Sequence, residues 1–228
     1  MLSVWKTIME EANRIKFGTD GWRGIIAKDF TFKNVGIAAQ AIADYIKSGS
    51  RKWEVGSRKS EEQKPLTAVI IGYDNRFLSD KFALHTAKVF SANGISAAVS
   101  ESAATSPSVS LYCKKNNCLG VMITASHNPP VWNGLKIKLQ YGGSVSEKII
   151  DTISGFLYKN EVKITDDEIK TADIINDYKK YLKSLVKLNS ASKIPAKAGS
   201  PLRSEKIVVD AMHGSGAGIF EQILKNEK

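Results

Sequence analysis

The sequence predicts an α/β sandwich, in which a mostly parallel sheet is covered by helices on both faces. Short apolar runs at residues 67–73, 96–100 and 119–124 are typical of buried strands. Segments of ten or more residues with helical periodicity separate these runs, as crossovers between parallel strands require.

The first helix is predicted over residues 31–48. Thr31 is a good N-cap residue, apolar residues recur after it at helical spacing, and Gly49 ends the pattern. The stretch 50–64 that follows is polar and aperiodic, so it is expected to be a surface loop.

Two more helices are expected between the strands. Ser79 can cap a helix that runs to Asn93, and Pro107 suits the first turn of another helix. Ligands of parallel sheets collect in the loops beyond the carboxyl ends of the strands. The loop after Thr124 is therefore where a functional site is expected.

Two domains are expected. Residues 1–160 would form the first α/β domain, and residues 161–205 a helix and a linker rich in Ser, Lys, Ala, Gly and Pro. Residues 206–228 would be the start of a second α/β domain that is cut short, because a lone strand and helix cannot bury both faces of a sheet.

The elements of this C-terminal half are predicted from the same patterns. Helices are expected over residues 144–160 and 173–188, followed by a strand at 206–210 and a helix at 219–224.

Composition is that of an ordinary globular protein, with 43% hydrophobic and 25% charged residues. No apolar run approaches the roughly 20 residues that span a bilayer, so a cytoplasmic protein without a membrane partner is predicted. Two cysteines, Cys113 and Cys118, are expected to be reduced packing residues.

The formal net charge is +10 at pH 7. The basic residues are spread along the chain, and no basic stripe studded with aromatic residues is present, so no nucleic acid partner is predicted. A charged surface around an anionic substrate, or loss of an acidic remainder of the protein, explains the charge equally well.

The chemistry-bearing segment is residues 124–136, with the sequence TASHNPPVWNGLK. Its prolines stiffen the turn, and the pair at 133–134, Asn-Gly, can reverse the chain and bring Lys136 back toward Ser126 on a returning strand. His127 adjoins Ser126, so in an extended segment the two side chains would point apart and would not form a catalytic dyad.

This segment resembles the phosphoserine loop of the α-D-phosphohexomutase family, the phosphoglucomutases and phosphomannomutases, in residues 124–130 and 133–136. Residues 17–25 resemble the N-terminal signature of the family, and residues 71–76 resemble another shared turn. Residues 209–218 are similar to the start of its second domain. The resemblance extends from about residue 15 to the end of the chain.

The resemblance implies a phosphomutase, an isomerase that interconverts hexose 1-phosphate and hexose 6-phosphate. Ser126 would carry the phosphoryl group, and the reaction would pass through a bisphosphorylated sugar in two in-line transfers. Because phosphoserine carries about −1.5 to −2 charges, Mg²⁺ is the expected cofactor, bound to Ser126 through its phosphate.

The family also implies roles for neighbouring residues. Lys136 would neutralise developing charge or help to move the hydroxyl proton, and His127 would orient the phosphoryl group. Arg23 would approach the same cleft, and Asn128 is expected to bind phosphate together with these residues. The alternative for Lys136 is that it is a solvated strand residue without a catalytic role. The alternative for Arg23 is that it only forms a surface ion pair.

The metal loop of the family, of Asp-Gly-Asp type in the second domain, has no counterpart, because no Asp-x-Asp occurs in the 228 residues. We therefore expect an N-terminal portion that is inactive alone and needs a separate chain or the missing C-terminal domains. The alternative is a non-catalytic module that binds phosphosugars or docks to another chain. The motif variants resemble the glucose and mannose mutases more than the glucosamine branch.

Overall fold

The computed structural model describes residues 15–49, 68–185 and 208–224. The strands of this part are β1 Gly21–Ile25, β2 Ala68–Tyr73, β3 Ser96–Ser100, β4 Leu119–Ile123, β5 Trp132–Lys138 and β6 Lys170–Ala172. The helices are α1 Phe32–Lys47, α2 Ser79–Ala92, α3 Ser106–Asn116, α4 Glu147–Ser154, α5 Ile174–Leu185 and α6 Ile219–Leu224.

The strands form one mixed sheet in the order β1-β5-β4-β2-β3-β6. Strands β4, β2, β3 and β6 run parallel, whereas β5 is antiparallel to both β4 and β1. Four parallel strands, three of them predicted, thus form the larger part of the sheet. Two antiparallel strands extend it at one edge, beside the serine segment.

Helices cover both faces of the sheet, which confirms the predicted sandwich. Neighbouring residues of β2 point to opposite faces: Ile71 belongs to one buried cluster and Ile70 to the other. The first cluster takes its helical residues from α1, α2 and α4, including Ile42, Phe82, Phe90, Ile149 and Ile153. The second takes Val109 and Cys113 from α3 and Ile174 from α5.

Both cysteines are free and buried, as predicted. The hydrogen bond between the two thiols and the burial of Cys113 raise the pKa of Cys113, so it is a neutral thiol. The two side chains act as packing residues between α3 and the sheet.

The helix starts agree with the sequence in two of three cases. Thr31 caps α1, its Oγ1 accepting a hydrogen bond from the N–H of Asn34 at 3.2 Å, and Pro107 lies in the first turn of α3. Ser79 was expected to cap α2 but is its first residue. The cap position is taken by Leu78 at φ 60°, because the Ser79 hydroxyl is turned inward to the carboxylate of Asp74.

The predicted helix over 144–160 is shorter, Glu147–Ser154, and Gly155 follows it. The helix predicted at 173–188 is Ile174–Leu185, with its last three predicted residues outside the described part. The preceding strand, β6, pairs with β3. Residues 169–175 therefore pack on or in the same sheet as the residues before them, while the domain boundary at 160 stays a prediction.

In the C-terminal segment, helix α6 is found where it was predicted. The predicted strand at 206–210 is wrong for residues 208–210, which make no strand pairing, and its first two residues lie outside the described part. The whole of the predicted loop 50–64 and of the linker before residue 206 lies outside the described part as well. No helix within the three described ranges is long and apolar enough to cross a membrane.

Candidate active site

Ser126 lies in the serine loop, residues 124–131, which joins β4 to β5 at the carboxyl end of β4. Its side chain is exposed and its backbone is left-handed, with φ 58°. Non-glycine residues in this conformation cost about 1–2 kcal/mol and tend to mark functional sites. The segment is therefore a turn, and the extended geometry assumed for Ser126 and His127 is wrong.

Two hydrogen bonds hold Ser126 in this conformation. Its N–H donates to Thr124 Oγ1 at 2.9 Å, and its carbonyl accepts from Arg76 Nη2 at 2.7 Å. Both backbone groups of the residue are thus satisfied inside the protein, and the hydroxyl is left at the surface.

The chain reversal occurs within the serine loop and not at the predicted Asn-Gly pair, because Asn133 and Gly134 are buried inside β5. Glycine is required at 134 by close backbone approach. A Cβ there would lie 2.6 Å from Thr124 O and 2.8 Å from Trp22 O. The Asn133 side chain donates to Ser79 Oγ at 2.9 Å, and so joins β5 to the start of α2.

The carboxylate of Asp74, just after β2, joins three elements at the base of the serine loop. Its Oδ1 accepts from Arg76 N at 3.0 Å and from Ser79 Oγ at 2.8 Å. Its Oδ2 accepts from Thr124 Oγ1 at 2.5 Å and lies 3.3 Å from Arg76 Nε. Each carboxylate oxygen therefore already has two donors.

Arg76 spans the inside of the serine loop. Its Nη1 donates to Pro129 O at 2.8 Å and to Trp132 O at 3.0 Å. Its Nη2 donates to Ser126 O at 2.7 Å and to Asn128 O at 2.6 Å. Sequence reasoning did not select Arg76, although its place after a strand adjacent to β4 was a usable signal.

Arg23 reaches the serine loop from β1. Its Nη1 donates to Asn128 Oδ1 at 2.9 Å, so the structure brings these two predicted residues together. Arg23 makes no other hydrogen bond within the described residues, which leaves most of its guanidinium donors for another acceptor.

Lys136 lies on β5, in register with Met122 of β4 and Gly21 of β1. Its Nζ makes an ion pair with Asp20 Oδ2 at 2.7 Å. Within the described residues no hydrogen bond or ion pair joins Lys136 to Ser126. The returning strand was predicted, but its partner Asp20 was not.

Positive charge surrounds the carboxylate of Asp20. Burial would raise the pKa of Asp20, but the hydrogen bond and charge of Lys136 outweigh it and leave that pKa below the ordinary 3.8. The charges of Arg23 and Lys138 act in the same direction on the pKa. Burial, together with the charge of Lys136, lowers the pKa of Lys138. Asp20 thus holds Lys136 by charge.

A cavity of about 850 Å³ opens in front of the serine loop. Ser126, His127 and Asn128 line it, together with the residues after β2, the start of α3 and residues 211–215. Asn75 Nδ2 donates to His213 O at 3.0 Å, which attaches residues 211–215 to the cavity rim. The exposed His127 makes no hydrogen bond to Ser126 within the described ranges.

The described residues do not by themselves make up a magnesium site. They contain no group of three or more His, Cys, Asp or Glu side chains that could hold a metal ion. Asp74 is the carboxylate on the cavity lining, and its oxygens already accept hydrogen bonds from three residues. A phosphate on Ser126 would add hard oxygen ligands at this cavity.

Residues 14–163 match the family model described as phosphoglucomutase/phosphomannomutase, alpha/beta/alpha domain I. This chain belongs to the α-D-phosphohexomutase family. The match includes Arg23, Arg76, Lys136 and the whole serine loop, so the geometry above belongs to the family domain.

Among characterised relatives, a phosphoglucomutase of Staphylococcus saprophyticus is 29% identical over 160 residues, covering 69% of this chain and 29% of the relative. A phosphoglucosamine mutase of Dictyoglomus thermophilum is 28% identical over 217 residues, covering 92% of this chain and 41% of the relative. These relatives bear the names of phosphotransferase isomerases acting on different sugars.

A solved structure from Thermus thermophilus, assigned as a phosphomannomutase, is also similar. It has a TM-score of 0.74 and 26% identity, covering 92% of this chain and 43% of that one. The chain therefore spans between 29% and 43% of the length of these three proteins.

Proposed function

We propose that this chain carries the phosphoryl-transfer serine of a phosphohexomutase, and that this serine is Ser126. The supporting observation is the position of its hydroxyl. It is exposed on a left-handed turn whose backbone is held by Thr124 and Arg76, at the edge of a cavity large enough for a sugar phosphate.

In the proposed reaction a hydroxyl oxygen of the hexose phosphate attacks the phosphorus on Ser126. The bond from phosphorus to Ser126 Oγ breaks, a bisphosphorylated sugar forms, and the proton lost by the sugar hydroxyl is balanced by one gained at Ser126 Oγ. The other phosphoryl group then returns to Ser126 by the same steps in reverse. The product is the isomeric hexose phosphate.

Lys136 and Arg23 are proposed to stabilise charge around the phosphoryl group. Lys136, held by Asp20, would neutralise developing charge or help to move the hydroxyl proton. Arg23, with donors to spare beyond Asn128, would bind phosphate oxygens. His127 would hydrogen-bond the phosphoryl group from the cavity lining.

Mg²⁺ is proposed as the cofactor, bound to Ser126 through its phosphate. When bound it would supply electrophilic stabilisation of the transferred group. Since the described residues offer no carboxylate set for it, the remaining ligands are proposed to come from outside these residues.

We further propose that the chain does not complete the mutase cycle alone, and that a separate chain or further domains supply the remaining ligands. The preferred hexose phosphate is proposed to be a glucose or mannose phosphate, from the motif variants. A cytoplasmic location stays a prediction from the sequence.

Phosphoryl uptake tests this proposal. The chain and its Ser126→Ala variant are each combined with a separate chain that carries the C-terminal domains of a phosphoglucomutase, because the remaining ligands are proposed to come from there. Each mixture is incubated with glucose 1,6-bisphosphate and Mg²⁺, and intact masses are recorded. All uptake measurements below are made in this mixture. One phosphoryl group is expected on the wild-type chain and none on the variant. Equal uptake by both would exclude Ser126 as the carrier.

A mutase assay with glucose 1-phosphate tests the claim about the chain alone. No turnover above the Ser126→Ala background is expected. Steady turnover by the wild-type chain, at a rate abolished in the variant, would show that no other part is needed.

A further inference from the structure

We propose that Arg76 is a positioning residue for phosphoryl transfer, which fixes the serine loop and does not itself bind the phosphoryl group. The proposal rests on the proposed function of Ser126. An arginine beside a phosphoryl-carrying serine would ordinarily be taken for a phosphate ligand, and the hydrogen bonds of Arg76 argue against that role.

A guanidinium group has five N–H donors in a fixed plane and no acceptor. In Arg76 the four Nη hydrogens are used in hydrogen bonds, and Nε takes part in an ion pair. Nη1 uses its two hydrogens on Pro129 O and Trp132 O, and Nη2 uses its two on Ser126 O and Asn128 O. The fifth, on Nε, faces Asp74 Oδ2 at 3.3 Å. No donor remains for a phosphate oxygen.

Three of the carbonyls that Arg76 binds lie in the serine loop, and the fourth belongs to Trp132, the first residue of β5. Those of Ser126 and Asn128 precede the prolines, and those of Pro129 and Trp132 lie at and beyond them. One planar group thus fixes the spacing of the two halves. Ordering the backbone of a loop costs conformational entropy, and charge-assisted hydrogen bonds to several carbonyls offset part of that cost.

The orientation of the Arg76 side chain is itself fixed by Asp74. Asp74 Oδ2 faces Nε of Arg76 and also accepts a hydrogen bond from the hydroxyl of Thr124. The Thr124 oxygen in turn accepts a hydrogen bond from the N–H of Ser126. Ser126 is therefore held at both backbone groups by one connected network, which supports its left-handed φ of 58°.

Arg23 provides the contrast. It donates to the side chain of Asn128 and makes no further hydrogen bond within the described residues. The two arginines therefore have different roles. Arg23 has donors left for a ligand, whereas Arg76 holds the loop backbone through contacts that require a planar group with five donors.

Lysine at position 76 separates the two roles. It keeps the positive charge but has three donors on a point-like ammonium group, which cannot reach four carbonyls and a carboxylate together. If Arg76 contributes charge to the phosphoryl group, Arg76→Lys retains much of the activity. If Arg76 positions the loop, Arg76→Lys loses it as Arg76→Met does.

The experiment measures two properties of the wild-type chain, Arg76→Lys and Arg76→Met. The first is amide hydrogen exchange of peptides covering residues 124–134, and the second is the rate of phosphoryl uptake from glucose 1,6-bisphosphate. Asn93→Ala is the control for general destabilisation. It removes a buried side chain that binds Gln40, at the end of α2 about 20 Å from Ser79.

We expect exchange in 124–134 to rise at least about tenfold in both Arg76 variants, with uptake at least about 100-fold slower, because a displacement near 1 Å costs about that factor. Asn93→Ala should leave the exchange of this segment near that of the wild type. Unchanged exchange in Arg76→Lys, or raised exchange with wild-type uptake, would overturn the proposal.

The two proposals fail in different ways. If the wild-type chain takes up no phosphoryl group, the proposed function of Ser126 in this chain fails. The exchange measurement still decides whether Arg76 holds the loop, since it requires no phosphoryl transfer. If amide exchange of residues 124–134 stays at the wild-type rate in both Arg76 variants, the proposal that Arg76 holds the serine loop fails as well.

Discussion

Lys136 Nζ lies 2.7 Å from Asp20 Oδ2, although the two residues are 116 positions apart in the chain. The contact joins the N-terminal signature to the strand that returns from the serine loop. The lysine is therefore held in place before any substrate arrives.

Asp20→Asn should change how stability depends on pH. Because the pKa of Asp20 is lowered on folding, its ionised form contributes stability above the ordinary value of 3.8, and this contribution is lost as the pH falls through the folded pKa. Urea unfolding from pH 7 to pH 3 should show the wild type more stable near neutrality, with the difference shrinking below about pH 4.

Asp166→Asn is the matched control, because it removes a fully exposed carboxylate that pairs with Lys88 at 3.7 Å. Exposed pairs of this kind contribute little. A difference between wild type and Asp20→Asn that stays constant over the pH range would contradict the assignment.

Ser126→Gly and Ser126→Ala should differ in stability. Both remove the hydroxyl, but only alanine keeps a Cβ in the left-handed conformation at φ 58°. We expect the glycine variant to be more stable by about 1 kcal/mol in urea unfolding. A more stable alanine variant would show that the turn is not left-handed in solution.

Gly134→Ala should destabilise the protein and disturb the return of the chain into β5. The new Cβ would meet backbone oxygens of Thr124 and Trp22, which cannot move independently of the sheet. We expect a loss of about 1–3 kcal/mol in thermal or urea unfolding. Gly18→Ala is the control, since its Cβ would lie at 3.6 Å from Gly21 O, an ordinary contact.

Thr124→Val should cost about 1–3 kcal/mol of unfolding free energy, because it leaves the N–H of Ser126 and one oxygen of Asp74 without their partner. Thr124→Ser retains the hydroxyl and should lose less. A greater loss in Thr124→Ser than in Thr124→Val would mean that the methyl group of Thr124, and not its hydroxyl, matters at this position.

The fold could be read from the sequence where local signals were strong. The buried strands β2 and β4 and the Thr31 cap are local features, set by propensity and short-range hydrogen bonds. Strand β1 was not predicted because Gly-Trp-Arg-Gly-Ile has two glycines in five residues. Its pairing with β5, which lies more than 100 residues away, makes it a strand.

The sequence predicted which kinds of residue form the site better than it predicted their contacts. The serine motif indicated Ser126 and the returning strand, but the partners Asp20 and Arg76 are brought in by tertiary pairing that no local pattern shows. The prediction of a chain reversal at the Asn-Gly pair was wrong because this pair usually forms a turn. At Gly134 the glycine is needed for close packing of backbones instead.

The most direct test of the central claim is to locate the phosphate. After incubation with glucose 1,6-bisphosphate, tandem mass spectrometry of the peptide containing residues 124–131 should place one phosphoryl group on Ser126, and none on Ser106, which also lines the cavity. An unmodified Ser126, with phosphate on another residue or on none, would contradict the assignment of Ser126 as the phosphoryl carrier.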